Sequence, residues 1–222
     1  MGQFTVNATY SGYNRNNKDR QAEDYYATPP WEVTNILNIL NLDFNNLEIL
    51  EPCCGGGHMI EGINKYLEQK GQAPKRLTGL DLIDRKYRHE KWHTFYNLDF
   101  LKQTTEALRS DIVIMNPPFK EFGEFTKKAL GYARKYLIVL GRTQALEGKS
   151  RFKDVFSETP PSDVYIYVDR INCWKDGVEP TSTGSASYAW FVWDKTDSAA
   201  TPRLHWITRT TQEEIDNVET GN

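Results

Sequence analysis

At 222 residues, 39% of them hydrophobic and 26% charged, the chain can bury one full core, which excludes a disordered or low-complexity class. A formal charge of −3 excludes a uniformly basic nucleic-acid binder and leaves local basic patches as the only phosphate contacts. No apolar run approaches the roughly 20 residues that span a bilayer. Three cysteines, two of them adjacent at Cys53 and Cys54, make no disulfide framework, so no membrane partner and a reducing cytoplasm are expected.

In chain order, residues 1–23 are polar and rich in Asn and Tyr, without the apolar core of a signal peptide, and read as a flexible tail or arm. A single catalytic domain is expected over 24–210, followed by an acidic, fraying end at 211–222. Thr28, followed by Pro29 and Pro30, reads as the N-cap of a helix over 31–42, where Val33, Ile36, Leu37 and Leu40 share one face. A short strand at 47–50 runs into Glu51-Pro52-Cys53-Cys54-Gly55-Gly56-Gly57 and a helix at 59–67. Strands follow at 77–80 and 94–98, then an apolar strand at 111–115 that stops at Asn116-Pro117-Pro118-Phe119. A helix at 122–132, a buried strand at 136–140 and a helix at 145–156 come next. Two strands rich in Tyr, Val and Trp, 164–168 and 188–193, flank a long polar stretch at 175–187. Alternating strands and helices predict a mostly parallel sheet with helices against it.

Four sets of residues carry chemistry. The three glycines after the first strand allow positive φ and a close approach of ligand to backbone. Asp81, 24 residues beyond Gly57 at the next strand's end, is placed to accept hydrogen bonds from ribose hydroxyls. Ile60 stands where a dinucleotide fingerprint has its third glycine, and Glu51 would repel a pyrophosphate. Glu51 suits a cation or an amino group, such as those of S-adenosylmethionine. Asp99 with Phe100 could bind an adenine amine and cover its ring, or Asp99 could simply cap the next helix. Asn116-Pro117-Pro118-Phe119 is a stiff loop offering an amide, carbonyls and a ring to a planar group that bears an NH₂. Cys53, Cys54 and His58 are too cramped for a zinc site, and neither cysteine has a histidine partner in sequence, so no metal and no thiol nucleophile are expected.

These sets, in this order, resemble the amino-methylating S-adenosylmethionine-dependent methyltransferases over about residues 24 to 195, most closely the DNA adenine-N6 methyltransferases of bacteria and phages. The resemblance implies a Rossmann-like class I α/β fold: a mostly parallel seven-stranded sheet, helices on both faces and an antiparallel C-terminal hairpin. It implies cofactor contacts from Tyr26, Ala27, Thr28 and Pro29, from Glu51, Pro52, Cys53, Gly55 and Gly57, from Asp81 with Leu82, and from Asp99 with Phe100. Asn116, Pro117, Pro118 and Phe119 would be catalytic. The amide oxygen of Asn116 and the carbonyl of Pro117 would accept the N–H bonds of a flipped adenine while Phe119 stacks on it. An amino nitrogen in RNA, a protein glutamine and a catalytically silent binding scaffold are the alternatives. No large target-recognition domain follows the core, so specificity would come from loops, the N-terminal arm or a protein partner. Lys120 and the segment 148–156 are candidate contacts to a nucleic-acid backbone. Three basic clusters read ordinarily as solvated faces: Arg85, Lys86, Arg88 and Lys91; Lys127, Lys128, Arg134 and Lys135; Lys149, Arg151 and Lys153.

Overall fold

The computed structural model describes residues 25–86, 93–181, 184, 186–197 and 201–211. The expected tail at 1–23, nearly all of the expected frayed end, and Arg88 and Lys91 lie outside the described residues. In chain order the elements are β1 (Tyr26–Ala27), α1 (Pro30–Leu40), β2 (Glu48–Glu51), α2 (His58–Lys70), β3 (Arg76–Asp81) and β4 (His93–Asn97). They continue with β5 (Ser110–Met115), α3 (Phe122–Tyr132), β6 (Ala133–Arg142), α4 (Lys149–Arg151), β7 (Asp163–Tyr167), β8 (Trp174–Lys175), β9 (Tyr188–Asp194) and β10 (Arg203–Ile207).

The main sheet has the order β10-β7-β9-β6-β5-β2-β3-β4. From β4 to β6 every neighbour is parallel, β9 runs antiparallel to both β6 and β7, and β10 is parallel to β7. This is the Rossmann-like α/β architecture, with β7 and β9 as the antiparallel pair. The central strands read as unbroken apolar runs because both faces are buried. Successive residues alternate between two cores. Ile49, Ile112, Ile114 and Ile138 pack under α1 and α2, whereas Leu50, Val113, Met115 and Val139 pack under α3.

The sequence-based expectations need correction in four places. The sheet has eight strands rather than seven. The added strand, β10, was hidden by its mixed pattern, since Arg203, Leu204 and Trp206 are exposed on an edge. The expected helix at 145–156 is broken into a 3₁₀ turn (Thr143–Leu146), the short α4 and a π turn (Phe152–Phe156), because Gly148 adopts φ +117° between them. The first helix ends at Leu40, where Asn41 turns left-handed at φ 46°. Its N-cap position is Pro29, which makes no side-chain cap, so Thr28 is not the cap. The polar stretch after β7 contributes β8, which pairs antiparallel with β1: Tyr26 opposite Lys175 and Ala27 opposite Trp174.

Candidate functional site

Strand order reverses between β2 and β5, and in open α/β sheets a crevice forms at the carboxyl ends of the strands there. The carboxyl ends of β2, β3 and β5 deliver Glu51, Asp81 and Asn116 to one open cleft. Tyr26, Ala27, Thr28, Pro52, Cys53, Leu82, Asp99, Phe100 and Pro118 also line it. Pro29, Pro117, Phe119, Gly55 and Gly57 are not on its wall.

Asn116 has a defined polarity. Its Nδ2 donates to the Tyr26 carbonyl at 2.9 Å and to the Thr28 hydroxyl at 3.1 Å. Its Oδ1 is buried and has no partner among the described residues. Both donors are therefore engaged on β1 and the turn after it, and the acceptor end is left. An acceptor withdrawn from water and unpaired is costly, and at the wall of a cleft it is open to a donor from a ligand.

Glu51 is 2% exposed and its Oε2 also lacks a partner. Burial first, and the neighbouring Asp81 second, hold its pKa well above the usual carboxylate range. Asp81 ties its own loop together: Oδ2 accepts from the Gly55 amide at 2.7 Å and Oδ1 from the Ile83 amide at 2.9 Å. Each oxygen keeps a further lone pair for a ligand. Leu82, beside it, is 60% exposed. Gly55 and Gly57 take φ of +52° and +82°, which side-chain-bearing residues rarely adopt.

Asp99 is the cap of the turn at Phe100–Lys102: Oδ1 accepts from the Leu101 amide at 3.0 Å, and Lys102 lies 3.0 Å from Oδ2. That lysine above all keeps its pKa below the usual value. Phe100 is 2% exposed and packs on Phe125 and Tyr132, so it forms the wall of the cleft rather than a cover. Cys53 donates to the Asn116 carbonyl at 3.5 Å, and burial raises its thiol pKa far above that of a nucleophile. Among the described residues no three His, Cys, Asp or Glu side chains cluster as a metal site requires.

Some groups at the site had no local sequence signal. Tyr25 lies over the glycine loop, its hydroxyl accepting from the Gly56 amide at 2.8 Å and meeting His58 Nδ1 at 3.0 Å. A Cβ on Gly55 would stand 2.8 Å from Tyr25 Cδ2, and nearer still to Cε2. Arg85 stacks on the Tyr25 ring at 4.2 Å. Phe119 is ringed by Tyr26 at 5.5 Å, Tyr188 at 6.1 Å and the Arg142 guanidinium at 4.2 Å from its centroid. A cation on a ring in this way contributes about 0.5–2 kcal/mol, more when desolvated. Arg142 and Tyr188 lie far from Phe119 in sequence, and only the antiparallel pairing of β6 with β9 brings them together.

The basic clusters divide. Arg134 and Lys135 pair with Glu48 and Asp111 at the amino ends of the strands, away from the cleft. Lys128 donates to the carbonyls of Leu101 and Gln103, and Arg151 to those of Gln144, Ala145 and Glu147. Lys120, Lys149 and Lys153 are exposed.

No family model matches the chain, and no curated protein matches it in sequence. Its fold matches solved structures. A protein from Listeria monocytogenes, provisionally described as a class I S-adenosylmethionine-dependent methyltransferase, is 17% identical with a TM-score of 0.60, over 87% of this chain and 71% of that one. The methyltransferase subunit of a type I restriction-modification system from Streptococcus thermophilus is 13% identical with a TM-score of 0.61, over 88% and 52%. A provisional RNA methyltransferase from Pyrococcus horikoshii is 16% identical with a TM-score of 0.55, over 78% and 88%. The chain thus spans about half the length of the restriction-modification subunit.

Proposed function

We propose that this chain transfers a methyl group from S-adenosylmethionine to the N6 amine of adenine in DNA. The observation that carries this reading is the Asn116 amide, which has both N–H bonds engaged and its buried oxygen unpaired. An acceptor fixed in that way suits an N–H donor such as an exocyclic amine.

The residues of the cleft fit the cofactor. Glu51, buried with an unpartnered oxygen, suits a cationic group, which would hold the carboxyl ionised. Asp81 has lone pairs left for ribose hydroxyls, and Leu82 offers an exposed apolar face to a flat ring, whereas the space beside the left-handed Gly55 is taken by the Tyr25 ring. When bound, the cofactor supplies a methyl group on positively charged sulfur.

The work of the chain is positioning. An amine lone pair delocalised into a purine ring is a weak nucleophile. Asn116 Oδ1, accepting one N–H, draws electron density onto the nitrogen and fixes its direction. Proline at 117 and 118 keeps the loop stiff, so little reorganisation is needed as charge develops. In duplex DNA the base must leave the stack before it can reach the loop. Stacking on Phe119 is worth roughly 1–3 kcal/mol per base. Lys120, Lys149 and Lys153 suit the phosphate backbone, and sequence selectivity falls to the segments around the cleft or to a protein partner.

The test is labelled methyl transfer to DNA, RNA and protein in parallel, with the modified atom identified. Adenine N6 in DNA is the expected acceptor; label in RNA or on glutamine reassigns the substrate, and no transfer at all refutes the enzyme. Asn116→Ala should lower kcat by the order of 10²–10³, as loss of one preorganised polar group does elsewhere. Calorimetry should show its cofactor affinity nearly intact.

A further inference from the structure

We propose that Arg142 is a placeholder for the acceptor base: its guanidinium occupies the stacking position on Phe119 until a flipped base displaces it. The inference rests on the reading of the site as a base methyltransferase. Its starting point is a conflict between that reading and the geometry. A base is to stack on Phe119, yet Arg142 already lies 4.2 Å from the ring centroid, with Tyr26 and Tyr188 as the other aromatic neighbours. Something must leave before a base can arrive, and of these three groups Arg142 is the one that can go.

Tyr188 is buried at 5% exposure inside β9, and the carbonyl of Tyr26 is bonded to the catalytic amide. Arg142 is the last residue of β6, next to β5, whose end carries Asn116, and the chain then continues into exposed turns. Its Nε is buried and unpartnered among the described residues, while the side chain hydrogen-bonds the Tyr188 hydroxyl and lies near the Cys173 thiol, both neutral groups. The charge is therefore held by a ring face and by neutral groups. A permanently charged side chain held by one ring face and one neutral hydroxyl is the group of the three that can exchange. A guanidinium is also flat and delocalised, so it covers an aromatic face much as a base does. Exchange of one planar partner for another leaves Phe119 stacked throughout. The two contacts are of similar strength, so neither state traps the protein. Once displaced, the guanidinium, at the end of β6 where the chain enters its turns, can turn to solvent, where a phosphate backbone would neutralise it.

The test uses the full chain and a duplex in which the acceptor adenine, located by mapping methylation in cells expressing the protein, is replaced by 2-aminopurine. That base brightens when it leaves the stack. Arg142→Lys keeps the charge and removes the plane. The placeholder role predicts that the fluorescence titration of this variant is half-complete at three- to tenfold lower protein concentration than wild type. Cofactor affinity and melting temperature should stay as they are. An unchanged or weaker titration overturns the proposal, as does a gain accompanied by a lowered melting temperature, which would make Arg142 a structural clamp. Arg142→Gln carries the same comparison if Arg142→Lys fails to fold. Wild type that modifies no adenine in DNA overturns the underlying reading and this inference together. Wild type that does so beside an unresponsive Arg142→Lys overturns the placeholder alone.

Discussion

Glu32 sits in the first turn of α1 at 2% exposure, with Oε1 accepting from the Thr210 amide at 3.2 Å. Burial pushes its pKa from the ordinary 4.5 to about 7, and hydrogen bonds from Tyr167 and Thr210 only partly oppose this. The folded chain therefore holds this proton more tightly than the unfolded chain does. The stability it contributes is complete below about pH 4.5 and is lost as pH rises through about 7. At 1.36 kcal/mol per pKa unit the loss approaches about 3 kcal/mol. Glu32→Gln keeps the acceptor and the shape but not the charge. Urea unfolding should find the two proteins alike at pH 4.5 and the variant more stable at pH 8, by about 2–3 kcal/mol. A difference that does not change with pH would disprove the assignment. At this same scale Asn116 could be picked out from its neighbours in sequence, but its polarity could not. The partners that orient it, Tyr26 and Thr28, lie 90 and 88 residues away.

Among elements, the contact between α1 and α2 is set by Gly62. A Cβ there would stand 2.6 Å from Val33 Cβ and nearer still to the Pro30 carbonyl oxygen, so the helices approach backbone to backbone. Thr34 Oγ1 then donates across the gap to the Gly62 carbonyl at 3.0 Å. Alanine is the better helix former by about 1 kcal/mol. Gly62→Ala should nevertheless destabilise the fold by about 1–3 kcal/mol, as overpacking does. Methyl transfer should fall with it, because α1 starts two residues after Thr28, which holds the Asn116 amide proposed to be catalytic. Chemical denaturation checks the first effect; a stable, fully active variant would show that the helices can separate freely. Long periodic elements were legible from pattern alone: α3 falls at 122–132 as read. β1 and β8, at two residues each, are too short for any periodicity to register. The helix read at 145–156 failed at a single left-handed glycine that no spacing announces.

For the whole molecule, the mostly parallel sheet and the loops at the carboxyl ends of its strands were readable because apolar runs, glycines and prolines punctuate the chain there, whereas the order of the strands was not. Charge was not readable, because a net of −3 says nothing of where cations stand. Arg134 and Lys135 serve the amino ends of strands, whereas Lys149 and Lys153 face solvent after β6. Each phosphate contact adds about 0.9 to the slope of log affinity against log salt. Replacing both Lys149 and Lys153 by alanine should therefore lower that slope for duplex DNA by about 2, read by fluorescence anisotropy across salt concentrations. An unaltered slope would move the duplex to another face.

The small ribbon formed by β1 and β8 gives the Asn116 amide its sense of direction. Lys175 pairs with Tyr26, and Tyr26 in turn holds Asn116 by its nitrogen. If the dipeptide at 174–175 peels away, a half-turn of one carboxamide offers hydrogen to an amine that needs oxygen. Chemistry would then stop with the core intact, so a partner that grips this outlying loop could silence the protein without approaching the cleft.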